Sequence, residues 1–328
     1  MSLVQRTSAT PVATTPDLSP APAGRVEVPR RSPSWGRRVR WARRTTQAVV
    51  VALVGWQVVA HATAATTSGT ASAETFCPFG GFETLWTLVT TGRTVSHTHP
   101  ATLVLAAAVV VLAVAARGAF CGWLCPLGSL QEWLHATARA VAGRVPPLRR
   151  LRHRLDRLAT SRGWRRTDRL LRWGRWAVLA WAVGGAAVTG TMVFREADPW
   201  VALLSVAEFE ISTAFAVLVA TVALALVVER PFCRYACPLG AVQSLVARPG
   251  PVAVERDAAT CLGCDLCNKA CPMAIPVNTR TRVTDSACIG CLECVAACPS
   301  APALGVTVAL PFPARRPAPD ADRAPAQV

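Results

Sequence analysis

The chain has few charged residues, and only one of them is a lysine. Charged residues make up 16% of its 328 positions and hydrophobic residues 52%, and the mean hydropathy is +0.34. Soluble globular domains carry about 25% charged residues, so the composition is too apolar for an ordinary soluble protein. The sequence also lacks a Ser/His/Asp set, a glycine-rich nucleotide loop and paired carboxylates. Substrate chemistry within the chain is therefore not expected, although whether it is an enzyme stays open.

The positive charge is unevenly distributed. Lys269 is the only lysine among 35 Lys and Arg residues, which face 19 Asp and Glu residues for a net charge of +16. Twelve arginines lie between Arg144 and Arg175, with only Asp156 and Asp168 opposing them. Such clusters mark the cytoplasmic side of a membrane protein. Because topology accounts for the arginines, we expect no nucleic-acid partner.

Four uncharged segments of roughly 18 residues are long enough to cross a bilayer as helices. They are approximately Gln47–Ala65, Ala101–Ala116, Trp176–Phe194 and Ile211–Val228. The sequence therefore predicts a mostly α, integral membrane protein with four transmembrane helices, in contact with membrane lipid. It lies in the cytoplasmic membrane as a multi-pass protein with both termini in the cytoplasm. The predicted parts are a disordered basic N-terminus (1–45), a membrane domain (46–245), a ferredoxin domain (255–310) and a disordered tail (311–328).

Two cysteine runs near the C-terminus carry the clearest chemistry. Each has the spacing C-x2-C-x2-C-x3-C-P, which is the bacterial pattern for ligation of two [4Fe–4S] clusters. In that pattern the fourth cysteine of each run ligates the other cluster. The predicted ligands are Cys261, Cys264, Cys267 and Cys298 for cluster one, and Cys288, Cys291, Cys294 and Cys271 for cluster two. Structural zinc sites use two separated Cys-x2-Cys pairs instead. We expect a small α+β ferredoxin domain of the bacterial 2[4Fe–4S] type.

An internal repeat holds four further cysteines. Residues 120–131 and 232–243 both read F-C-x3-C-P-L-G-x-x-Q, and each follows a predicted helix. Two parallel repeats with the same direction would bring together Cys121, Cys125, Cys233 and Cys237. Three interpretations stay open: a third [4Fe–4S] cluster, a pair of dithiol switches, or buried structural cysteines. The thirteenth cysteine, Cys77, is either a structural thiol or part of a quinone or partner site.

With these motifs the chain resembles the membrane polyferredoxins typified by NapH, the membrane part of NosR, and CcoG. The resemblance rests on the F-C-x3-C-P pair, the C-P-F-G-G-x-E-T segment that begins at Cys77, and the tandem runs. It is nearest to the NapH type. It implies a membrane-bound iron–sulfur electron carrier that links the quinone pool or a partner protein to cytoplasmic clusters.

Two other functions remain as alternatives. One is a maturation factor that reduces a metal such as copper for oxidase assembly. The other is a redox-responsive membrane regulator, in which the C-x3-C pairs sense the redox state rather than carry electrons. The sequence leaves open the electron donor, the acceptor and the direction of flow.

Overall fold

The computed structural model describes residues 26–27, 33–64, 78–92, 100–204, 212–300 and 302–308. Most of the chain to residue 246 is helical. The helices are α1 (Pro33–Ala64), α2 (Pro78–Thr91), α3 (Pro100–Ala116), α4 (Pro126–Arg144), α5 (Pro146–Thr160), α6 (Arg162–Leu171), α7 (Gly174–Thr189), α8 (Pro199–Leu204), α9 (Thr213–Val227), α10 (Pro231–Tyr235) and α11 (Pro238–Val246). A π-helical turn at Phe120–Leu124 precedes α4, and a 3-10 helical turn at Val193–Ala197 precedes α8.

A small sheet and two short helices form the C-terminal part. Its elements are β2 (Val252–Arg256), α12 (Leu266–Lys269), β3 (Arg282–Val283), α13 (Glu293–Ala296) and β4 (Leu304–Val308). A further strand, β1 (Val26–Glu27), completes an antiparallel sheet in the order β1-β4-β2-β3. The mostly helical class with a small ferredoxin-like α+β part is thus as expected.

The predicted N-terminal segment is partly ordered. Strand β1 pairs with β4 through Val26 and Val308, and α1 begins at Pro33. The predicted disordered segment 1–45 therefore contains a strand and the first turns of a helix. Within it, Arg43 is completely buried against the rest of the protein, which a solvated tail would not allow. The predicted disordered tail, 311–328, lies outside the described residues.

The prediction of four transmembrane helices is wrong. In the part of the chain that the structure describes, no helix combines the length and the apolar character needed to cross a membrane. Helices α3, α7 and α9 have 17, 16 and 15 residues, whereas a span needs about 20. Helix α1 has 32 residues, but its first half carries five arginines.

Local backbone signals end these helices early. Arg117 follows α3 with a φ of 58°, and Gly190 caps α7 with a φ of 69°. Both values lie in the left-handed region, which terminates a right-handed helix. Ser212 opens α9 by accepting a hydrogen bond from the Phe215 amide, and extended Val228 closes it. The predicted segment Trp176–Phe194 extends past Gly190 because a hydropathy window averages over many positions.

Two large apolar cores and one small one stabilise the described part of the protein. One large core joins the helical elements through Phe79, Val109, Phe194, Phe232 and Leu239. The other large core lies in the C-terminal part and includes Ile275, Val277 and Ile289, together with Cys121 from the helical part. Because Cys121 belongs to the second core, the helical and C-terminal parts pack as continuous structure at that point.

Candidate iron–sulfur centre

None of the twelve described cysteines forms a disulfide bond. The structure sorts them into three sets of four. The first ferredoxin group is Cys261, Cys264, Cys267 and Cys298, the second ferredoxin group is Cys271, Cys288, Cys291 and Cys294, and the repeat group is Cys121, Cys125, Cys233 and Cys237.

Both ferredoxin runs curl in the same way. Gly263 and Gly290, each preceding the second cysteine of its run, have φ values of 66° and 59°. Asp265 and Leu292, each following that cysteine, have φ values of 58° and 59°. Two left-handed residues flanking one cysteine turn the backbone around a common point. This is how a short loop can present three sulfurs to one cluster.

The first ferredoxin group surrounds a small cavity whose lining includes all four of its cysteines. Cys298 comes from the second run and lines this cavity with the first three cysteines of the first run. Burial raises the pKa of Cys298, and the nearby thiols of Cys264 and Cys261 raise it further. Cys264 is exposed, so this group lies at the surface.

The second ferredoxin group is more enclosed and packs within the C-terminal core. Burial raises the pKa of Cys294, and its neighbours Cys291, Cys271 and Cys288 add to that shift. Burial also raises the pKa of Cys271 to about 11 and of Cys291 to about 12. Thiols in this environment become thiolates only when a cation, such as cluster iron, compensates their charge.

The repeat group is built by two segments with matching backbone geometry. Cys125 donates its amide to the carbonyl of Phe120 at 2.9 Å, and Cys237 donates to Phe232 at the same distance. Each of these cysteines is extended and precedes a proline at the first position of a helix, α4 or α11. The motifs are therefore not a single continuous helix: Cys121 lies in the π-helical turn and Cys233 in α10.

Burial and helix position act in opposite directions on these thiols. Burial raises the pKa of Cys125, while the amides of Gly128 and Leu127 at the start of α4 lower it. Cys237 accepts a hydrogen bond from the Gly240 amide at 3.4 Å, a position that favours thiolate. Burial raises the pKa of Cys233 to about 12.

The glutamine at the end of each repeat motif lies against the other repeat. Gln131 of the first repeat accepts a hydrogen bond from the Phe232 amide at 3.1 Å, and its Nε2 lies 3.7 Å from the Cys233 sulfur. Gln243 of the second repeat lies close to Cys121, and both line the same small cavity. The side-chain amide nitrogen and oxygen of Gln243 have no hydrogen-bond partner, so Gln243 is near Cys121 without a hydrogen bond to it.

The first repeat also interlocks with the second ferredoxin run. Trp123 donates its Nε1 hydrogen to the carbonyl of Gly290 at 3.1 Å. A Cβ added to Gly122 would overlap the carbonyl oxygen of Ile289, so only glycine permits this approach. One small cavity is lined by Cys121, Cys233 and Cys237 together with Cys288. The repeat group and the second ferredoxin group are therefore direct neighbours.

A buried charge network joins the same two groups. Arg43 and Arg230 are both completely buried, and both bind Oε2 of Glu132, at 2.6 and 2.7 Å. Arg230 also donates to the carbonyl of Cys121 at 2.6 Å, and Arg43 contacts Glu293 at 2.7 Å. Two guanidinium groups against two carboxylates leave the network near neutral before any cluster charge is added.

These residues were not singled out from the sequence. Glu132 directly follows the first repeat motif, Arg230 lies two residues before the second, and Glu293 lies between two ferredoxin cysteines. The sequence signal that could have identified them is a charged residue next to an otherwise apolar cysteine motif. Arg43 falls within the predicted basic N-terminus, 1–45. Cys77 lies outside the described residues.

The donor sets fit iron–sulfur cubanes, each of which takes four cysteine thiolates. Within the described ranges, no three His, Cys, Asp or Glu side chains are close enough together to hold a single metal ion. A cubane imposes a wider spacing, because each thiolate ligates a different iron atom. The residues that would hold such groups are the three sets of four cysteines.

Comparison with known families agrees with this chemistry. A family model described as "4Fe-4S binding domain" matches residues 98–145 and 212–255, which contain both repeat motifs. A second model, "4Fe-4S dicluster domain", matches residues 253–299. No solved structure matches the chain. These matches define the class: an iron–sulfur electron-transport protein with ferredoxin-type domains.

Curated relatives narrow the class further. The chain is 28% identical to YccM of Escherichia coli over 76% of its own length and 70% of the relative. It is 30% identical to the ferredoxin-type protein NapH of Escherichia coli, and 27% identical to that of Haemophilus influenzae. It spans about half the length of these two, 55% and 56%. These models and relatives support a place in the 4Fe–4S polyferredoxin family near NapH, as the motifs indicated.

Proposed function

We propose that the chain is a membrane-associated electron relay with three [4Fe–4S] clusters. The two ferredoxin groups hold two of them, and the repeat group holds the third. Electrons pass between the quinone pool, or a redox partner protein, and the ferredoxin clusters by way of the repeat group. The ferredoxin part faces the cytoplasm, where thiols stay reduced.

One observation carries the proposal: a single cavity is lined by three cysteines of the repeat group and by Cys288 of the second ferredoxin group. Clusters held by these groups would be adjacent, and adjacent clusters exchange electrons one at a time. Because Cys264 of the first ferredoxin group is exposed, that group is the accessible end of the relay. The order is therefore repeat group, second ferredoxin group, first ferredoxin group.

Iron content tests the number of clusters. At four irons per cluster, anaerobically purified protein should contain about twelve iron atoms. Cys233→Ser should lower this to about eight, while Cys77→Ser, which removes a cysteine outside the three groups, should not change it. Iron at about eight in the unaltered protein, unchanged by Cys233→Ser, would reject the third cluster.

Rapid-mixing experiments test whether electrons pass through the repeat group. After quinol or quinone is added to membranes, cluster absorbance should change quickly in the unaltered protein. Cys233→Ser should abolish that response while the ferredoxin clusters remain assembled, since their ligands lie elsewhere. Normal transfer in well-assembled Cys233→Ser would end the relay hypothesis. Reversible thiol oxidation in a protein without iron at the repeat group would instead favour the redox-responsive regulator.

Membrane association is supported by exposed apolar side chains. Val104 of α3, Val188 of α7 and Trp56 of α1 are 70%, 88% and 74% exposed. Exposed apolar surface of this kind marks interaction sites. We expect the protein in the membrane fraction of cells, and reporter fusions after Leu310 to report the cytoplasm. Recovery of the protein entirely outside the membrane fraction would contradict this part of the proposal.

A further inference from the structure

A cleft of about 800 Å³ lies where helices α4, α5 and α6 meet the ferredoxin part. This volume is within the range of about 300–1,000 Å³ that is usual for ligand sites. Leu155, Leu158 and Trp164 form part of its apolar wall. Cys271 and Pro272 lie on the wall that belongs to the second ferredoxin run. Of the proposed cluster ligands, Cys271 alone lines this cleft, and the proposed relay gives the space itself no role.

The cleft is electropositive. Four permanent cations line it, Arg139, Arg152, Arg234 and Lys269, against two carboxylates, Asp156 and Glu229. His135 does not add a charge, because burial lowers its pKa. A cleft with more cations than carboxylates and an apolar wall concentrates anions.

Two of the arginines that line the cleft each have a buried Nε without a hydrogen-bond partner. Arg234 is 8% exposed and holds Asp168 at 2.5 Å through Nη2, yet its buried Nε has no hydrogen-bond partner. Arg152 contacts the carbonyl of Leu226 and the ring of His135, both at 3.1 Å. The Nε of Arg152 lies 3.3 Å from Asp156 Oδ1 without hydrogen-bond geometry. A buried donor without an acceptor is unfavourable, and a ligand oxygen within its reach would satisfy it.

The apolar wall continues outward along α5. Leu148, Leu151, Leu155 and Leu158 recur at helical spacing, and Leu151 and Leu158 remain 52% and 61% exposed. Arginines occupy the positions between them. A basic helix with a leucine face is typical of segments that lie on an acidic membrane surface. The ligand therefore needs an anionic head for the cleft and an apolar chain for the leucine face.

We propose that this cleft binds the phosphate headgroup of an anionic membrane phospholipid, with its acyl chain along the leucine face of α5. The proposal rests on the membrane association proposed above. It also has an electronic consequence, because Cys271 lines the same cleft. A bound phosphate places negative charge beside the cluster assigned to Cys271 and lowers its midpoint potential. Lipid occupancy would thus tune the middle of the relay.

Short-chain phosphatidylglycerol, which needs no bilayer, tests the site directly. Binding to cluster-loaded protein would be measured in about 0.15 M salt, which screens exposed charges. Arg139→Gln and Lys269→Gln should each weaken binding about fivefold, as expected for about 1 kcal/mol per basic residue. Arg149→Gln removes the same charge from an exposed position of α5 outside the cleft and should change binding less than twofold. Equal losses in all three would overturn the proposal.

A redox titration provides the second measurement. Saturating lipid should lower the midpoint potential of one cluster in the unaltered protein and in Arg149→Gln, and by less in Arg139→Gln. Short-chain phosphatidylcholine and inorganic phosphate should have little effect. Equal binding of inorganic phosphate would make this a simple phosphate site and overturn the lipid assignment.

Vesicles separate the two proposals. If the protein does not bind phosphatidylglycerol vesicles but binds the short-chain lipid in the cleft, the proposed membrane association is rejected and the proposed lipid site is retained. If it binds vesicles and Arg139→Gln behaves like Arg149→Gln in every assay, the cleft assignment fails and membrane association stands.

Discussion

Arg230 and Glu132 form an ion pair at the centre of the protein, with 2.7 Å between Nη2 and Oε2. Arg43 binds the same oxygen, so one carboxylate holds two buried guanidinium groups. Burial alone would raise the pKa of Glu132, but Arg230 and Arg43 outweigh it and hold the pKa below its usual value. The pair joins the first repeat to the segment that begins the second.

Removing this carboxylate should destabilise the protein strongly. Glu132→Gln removes the carboxylate shared by two buried cations and leaves Arg230 without a counter-charge, while Arg43 keeps Glu293; breaking a buried pair costs about 3–5 kcal/mol. Asp156→Asn breaks an ion pair whose carboxylate is 54% exposed and should cost less than about 1 kcal/mol. Thermal unfolding of the cluster-loaded proteins measures both. Similar midpoints for the two variants would contradict a structural role for the network.

Arg43 should also raise a cluster potential. It acts electrostatically on Cys291 of the second ferredoxin group, and a nearby cation favours the reduced cluster. Arg43→Gln should therefore lower one midpoint potential in a redox titration, and Arg43→Lys should restore most of it. Arg44→Gln, an exposed neighbour on α1, should change nothing. A restored fold in Arg43→Lys without a restored potential would show that the arginine only supports structure.

The close approach at Gly122 should be needed for electron transfer. Gly122→Ala forces a Cβ against the Ile289 carbonyl, which separates the repeat from the second ferredoxin run at a cost of about 1–3 kcal/mol. Transfer between the two groups should slow in rapid-mixing experiments. Gly184→Ala has no atom within 4 Å of its new Cβ and should stabilise α7 by up to about 1 kcal/mol. Unchanged transfer in Gly122→Ala would argue against this junction as the route.

The two ferredoxin clusters should differ in resistance to iron loss. Cys264 is exposed, whereas Cys291 is 8% exposed. An iron chelator or oxygen should therefore remove the cluster of the first ferredoxin group first, in two separate kinetic phases. Cys264→Ser should abolish the fast phase, and Cys291→Ser the slow one. A single phase common to both clusters would contradict the assignment.

Glu83 should make stability depend on pH. It is 1% exposed, and burial, with a contribution from Asp198, raises its pKa from 4.5 to about 7. The folded protein then binds more protons than the unfolded chain between these values, so stability falls as pH rises from about 4.5 to 7. The loss is on the order of 3 kcal/mol.

The variant Glu83→Gln isolates this effect. Its stability relative to the unaltered protein should increase with pH up to about 7 and stay constant above it. Glu196→Gln, at an exposed position, should follow the unaltered protein throughout. Denaturant unfolding at several pH values measures the difference. A pH-independent difference for Glu83→Gln would contradict the raised pKa.

Much of the chemistry could be predicted from the sequence because it depends on local spacing. A C-x2-C-x2-C-x3-C-P run specifies a loop that curls around metal, and the two copies do curl alike at Gly263 and Gly290. The F-C-x3-C-P repeat likewise predicted two equivalent segments, and their backbone hydrogen bonds match. Neither inference required knowledge of distant contacts.

Helix length could not be predicted in the same way. The apolar windows were correct in composition, but single residues bound the helices inside the predicted segments: Gly190 ends α7 and Ser212 precedes the first residue of α9. Hydropathy averages over many positions, whereas a cap depends on one backbone conformation. The prediction of four spans failed for this reason.

The sequence by itself therefore determined the cysteine chemistry, the repeat and the mostly helical class, since short-range spacing encodes each of them. Only the tertiary structure decided which groups are neighbours. Arg43 meets Glu293 across 250 residues, and Cys121 shares a cavity with Cys288. Such pairs arise when distant segments pack together. A buried charge then needs an oppositely charged neighbour, and a close approach to a backbone carbonyl requires a glycine. No local pattern in the chain specifies them.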